Sequence, residues 1–132
     1  MNGPGADAST SPAYKLGSAV LAFAVWGGWA FYVNRPSGLG TGLISGMAQG
    51  TASALMTLVM IKVVTEVFRR LRSRVARMIA PTVATVGGAA VLLVVVHTLV
   101  GTPEIAWTIL PGLSAAVPFC AFTTHKLSRA TV

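Results

Sequence analysis

The chain has 132 residues, of which 54% are hydrophobic, ten are Lys or Arg and only three are Asp or Glu, for a formal net charge of +7. So few charges cannot cover a water-soluble domain, and a chain this short has too little interior to bury so much apolar surface by itself. The single cysteine, Cys120, excludes an internal disulfide, and no Cys or His spacing matches a metal site.

Taken in chain order, the sequence predicts an all-α integral membrane protein with four transmembrane helices and a basic amphipathic extension between helices 2 and 3. Residues 1–14, rich in Gly, Ala, Ser, Thr and Pro with one carboxylate, Asp7, read as a disordered cytoplasmic tail. The membrane domain is expected over 15–126. Its first span runs from about Leu16 to Val33, preceded by Lys15 and closed by Asn34, Arg35 and Pro36. That length matches the ~20 residues needed to cross a ~30 Å hydrocarbon core. Its aromatic end and the lack of a small-x-small cleavage pattern identify a retained span, not a secretory signal.

A short turn leads into the second span, from about Leu39 to Val67. Gly42, Gly46, Gly50 and Ala54 recur every fourth residue, and Ser45, Gln49, Ser53 and Thr57 recur likewise beside them. At ~100° per residue, Gly42 through Gly50 and these four polar residues fall within roughly 140° of arc. Leu43, Ile44, Met47, Leu55, Leu58 and Val59 fill the opposite face. The small residues predict close helix packing, and the polar row predicts interhelix hydrogen bonds or, as the sharper alternative, a polar path through the protein. Lys62 and Glu66 are spaced to pair as i and i+4, on the side opposite Gln49.

Arg69, Arg70, Arg72, Arg74 and Arg77 place five basic residues within nine positions. Phe68, Leu71, Val75 and Met78 recur among them at helical spacing, which predicts one basic amphipathic helix at the membrane interface. With Lys62, these arginines are the expected contacts for anionic lipid headgroups. The third span follows from about Ile79 to Val100, with Pro81 in its first turn, and Ala84, Thr85 and Gly88 as its expected packing face. His97 points away from that face on a helical wheel. By depth it groups with Asn34, Arg35 and Glu104 as a candidate outer cluster, in which an Arg35 to Glu104 contact would close the two outer hairpins; its outward direction favours the alternative of a headgroup-level histidine beside two solvated charges.

The fourth span covers about Ile105 to Thr124, interrupted by Pro111 and Pro118, and ends at His125 and Lys126. Each proline frees the carbonyl four residues earlier, those of Trp107 and Ser114. Residues 127–132 read as a second cytoplasmic tail. Lys15, the arginine run, Lys126 and Arg129 fall on one side of the four-span arrangement, whereas Arg35 and Glu104 fall on the other. The positive-inside rule then puts both termini in the cytoplasm of a bacterial-type inner membrane. Trp26, Trp29, Tyr32 and Trp107 collect at the outer ends, as amphipathic rings do.

Catalysis has little to work with. No G-x-S-x-G, H-E-x-x-H or phosphate loop is present, and Gly38-x-Gly40-x-Gly42 lacks the strand and spacing of a dinucleotide site. No catalytic, metal or cofactor site is expected. The arginines lie beside apolar spans, which points to lipid and not to nucleic acid. The expected function is that of an assembly partner or accessory subunit, acting with another membrane protein or as a homo-oligomer. The alternatives are a small homo-oligomeric transporter or channel using the polar face of helix 2 and the broken helix 4, and a lipid-handling protein using the arginine segment.

Overall fold

The computed structural model describes residues 11–130. Four α-helices occupy nearly all of them: α1 over Pro12–Asn34, α2 over Leu39–Arg70, α3 over Arg74–Val100 and α4 over Ile105–Ala130. A 3-10 turn, Arg35–Ser37, joins α1 to α2. All four helices are long and apolar enough to cross a membrane. The helices run longer than the apolar spans because backbone hydrogen bonding continues past the last apolar side chain. The bulk of the expected tails at 1–10 and 131–132 lies outside the described residues, but residues 12–14 and 127–130 belong to α1 and α4.

Capping explains where the helices start and stop. Ser11 accepts the backbone N–H of Tyr14 and Pro12 takes the first helical position, where a missing N–H costs nothing. Gly38, at φ 130°, supplies a backbone conformation closed to side-chain-bearing residues between the 3-10 turn and α2. Gly101, at φ 75°, ends α3 in the left-handed cap, with its N–H and that of Thr102 turned back to the last carbonyls of α3.

The arginine segment departs from the expected single helix. Leu71 is extended (φ −90°, ψ 145°), and Ser73 caps a new helix by accepting the N–H of Ala76. Continued as one helix, Arg70 with Arg74, and Arg69 with Arg72, would stack like charges one turn apart. The break instead leaves Arg69 and Arg70 in the last turn of α2, where the helix dipole favours cations. Arg77 turns back, donating from Nε to the Leu71 carbonyl at 2.6 Å with its guanidinium 5.3 Å from the centre of the Phe68 ring. Phe68 is buried and Val75 exposed, so the apolar stripe is divided between two helices.

Helix α2 is the centre of the bundle, and its small and polar rows pack on different neighbours. The glycine row meets α1. A Cβ on Gly27 would lie 2.9 Å from the Gly46 carbonyl oxygen, one on Gly46 3.0 Å from that of Gly27, and one on Gly50 2.9 Å from the Phe23 ring. The stripe therefore closes α1 against α2 within one chain. Facing it are Phe23, Gly27 and Phe31 of α1 and Arg35 of the following turn. The polar row faces α3 and α4. Below it Ala52, Leu93 and Ile109 form a buried apolar cluster, flanked by Met56, Ile105 and Leu113. On α3 the buried residues are Pro81, Thr85, Leu93 and His97, spaced by four, eight and four, while Ala84 and Gly88 are exposed.

Candidate functional site

The polar residues converge where α2, α3 and the turn before α4 meet. Gln49, His97, Ser45, Ser53 and Thr102 are all buried. His97 is fully enclosed, and its two ring nitrogens lie 2.7 Å from Gln49 Oε1 and 2.7 Å from Thr102 Oγ1. Gln49 Nε2 donates to Ser53 Oγ at 3.3 Å, Thr102 Oγ1 lies 3.1 Å from Ser45 Oγ, and Thr57 donates to the Ser53 carbonyl. Gly112, next to Pro111 in the continuous helix α4, passes beside the Gln49 amide, since a Cβ there would lie 3.8 Å from Nε2.

Valence fixes the proton positions along this chain. An amide oxygen only accepts, so His97 donates to Gln49 from Nε2–H. In the neutral ring Nδ1 then accepts, Thr102 donates to it, and Ser45 donates to Thr102. Every polar group from Ser45 to Ser53 has a partner. Further along α3, the buried hydroxyls of Thr82 and Thr85 have none.

The expected outer cluster divides. Asn34 is fully buried, donating to the Ala30 carbonyl and to Thr108 Oγ1, both at 2.8 Å. Its oxygen accepts the Glu104 backbone N–H at 3.1 Å and so caps α4 from another helix. Arg35 lies over the Tyr32 ring at 4.6 Å and makes no ion pair with Glu104 among the described residues. His97 belongs to the Gln49 network instead. Beside this cap, Trp29 Nε1 donates at 2.8 Å to the Trp107 carbonyl, the group that Pro111 frees.

At the other end, Glu66 pairs with Arg70 at 2.7 Å and not with Lys62. Lys62, Arg69, Arg70, Arg72 and Arg74 are exposed, and Arg77 is half-buried. Ala54 and Thr57 are half-buried, whereas Gly42, Gly46 and Gly50 are buried. Comparison with protein-family models, curated proteins and solved structures finds no match for the chain.

Proposed function

We propose that this chain is a multi-pass inner-membrane protein that acts as an assembly partner or accessory subunit without catalysis of its own. The observation that carries this reading is the Gln49 and His97 network, in which Ser45, Gln49, Ser53, His97 and Thr102 satisfy one another inside one chain. A polar path needs groups turned toward a passage. Here both ends of the Gln49 amide are engaged, and an amide does not hand a proton from its oxygen to its nitrogen. The network works as a clamp that fixes the register of α2 against α3 and leaves apolar outer faces for lipid and for a partner.

Purification in a mild detergent followed by mass determination tests this. A complex of fixed stoichiometry with a different membrane protein is the expected result, and a defined oligomer of this chain alone would favour the transporter.

Orientation follows from charge. The antiparallel helices gather Lys15, the arginine segment, Lys126 and Arg129 at one end, which the positive-inside rule assigns to the cytoplasm. A reporter active only in the periplasm is expected to be silent when fused after Arg129 and active when inserted at Ser37 or Thr102. Activity at the C-terminal fusion would overturn the assignment.

A further inference from the structure

We propose that the groove between α2 and α3 seats one acyl chain of an anionic phospholipid, with the lipid phosphate on the Lys62 ammonium. This goes beyond the assembly reading and does not depend on it. The groove is open along one side and holds about 750 Å³, and its walls are apolar apart from the Thr51 hydroxyl. Ala52, backed by the buried Leu93 and Ile109, forms its floor, Leu92 borders it from α3, and Leu55, Met56 and Val59 continue it toward the arginine-bearing end. From Leu43 to Val59 the α2 wall extends roughly 24 Å at ~1.5 Å per residue.

Lys62 stands one turn past Val59, at the end of this wall. At ~100° per residue it projects within ~20° of both Thr51 and Leu55, so the ammonium crowns the groove and does not face away from it. From Leu43 to Lys62 the helix rises ~28 Å, which puts the ammonium at headgroup depth when the groove lies in the ~30 Å hydrocarbon layer. Glu66 is held by Arg70, which leaves Lys62 without a carboxylate among the described residues.

Charge decides the occupant. A second copy inserted with the same orientation, docking through the same face, would bring a second Lys62 to the first, beside both arginine segments. A phospholipid phosphate supplies the opposite charge, and its chain supplies a flexible apolar body that fits a groove lined by two methionines and branched aliphatics.

Native mass spectrometry of the full chain in mild detergent, with phosphatidylglycerol or phosphatidylcholine of matched chains added, tests the site. One phosphatidylglycerol per chain is expected to survive where phosphatidylcholine is lost. Lys62→Gln, an exposed change, is expected to weaken phosphatidylglycerol retention about fivefold, and Lys62→Arg to keep it. Thr51→Trp or Leu92→Trp, each filling the groove, is expected to expel the lipid, while Val20→Trp on α1 is not. Equal retention of the two lipids, or retention unchanged by Lys62→Gln, would overturn the headgroup contact. Retention unchanged by both groove-filling variants would overturn the seat, as would a lipid-free dimer that Thr51→Trp dissociates.

Discussion

Gly46→Leu is expected to destabilise the bundle by about 3 kcal/mol, at the upper end of the cost of overpacking a tight core. The reason is geometric. A Cβ at this position already stands 3.0 Å from the Gly27 carbonyl oxygen and 3.2 Å from Phe31 Cβ, so the first added carbon meets the facing helix. Backbone cannot swing aside as a side chain does, and the remaining leucine atoms must push α1 off α2. Gly28→Leu is the matched control, because a Cβ there meets nothing within 4 Å. Replacing that exposed glycine removes its ~1 kcal/mol helix penalty, so the control is expected to be neutral or stabilising. Leu43→Ala, on the open face of α2, is likewise expected to change little. Thermal unfolding in detergent, followed by helical circular dichroism, measures all three. Equal losses from Gly46→Leu and Gly28→Leu would remove the close crossing of α1 and α2.

The difference between these glycines also shows how far the fold was legible in the sequence. Four apolar stretches separated by Pro, Gly and Asn turns mark four helices, and the row at Gly42, Gly46 and Gly50 marks a packing face. On α3 the expected face of Ala84, Thr85 and Gly88 holds only at Thr85, which is buried; Ala84 and Gly88 are exposed, and a Cβ on Gly88 would meet nothing within 4 Å. Small residues permit close approach without requiring it. The buried row from Pro81 to His97 steps by four or eight residues and drifts ~40° with every four, so His97 turns inward although Ala84 does not.

One signal for His97 was present in the sequence: Gln49, deep in an apolar span, needs a partner with both a donor and sufficient reach. The break at Leu71 was masked by a different effect. Phe68, Leu71, Val75 and Met78 keep helical spacing, and only Ser73, a capping residue preceding Arg74, signals that a second helix begins there.

Substitutions in the polar network separate a clamp from a set of independent contacts. A hydrogen bond between membrane helices adds only ~0.6 kcal/mol on average, whereas a buried group that loses its partner costs ~1–3 kcal/mol. The second effect governs here. His97→Leu is expected to destabilise the bundle by ~2–3 kcal/mol, because it strips Gln49 Oε1 of its donor in a site that gives water no entry. Gln49→Leu is expected to cost a similar amount by orphaning His97 Nε2–H.

The double variant is expected to cost clearly less than the sum, with a coupling of ~1–2 kcal/mol, since it removes both halves of the contact together. The remaining hydroxyls keep partners of their own. Ser45 and Thr102 still face one another, and Ser53 lies within a helix, where a hydroxyl can turn to the carbonyl four residues earlier as those of Thr57, Thr98 and Thr124 do. Unfolding of the two single variants and the double variant in the same detergent completes the cycle. Additive losses would show that Gln49 and His97 act separately. Two neutral single variants would show that water reaches both groups, which would reopen the polar path as the reading of this face.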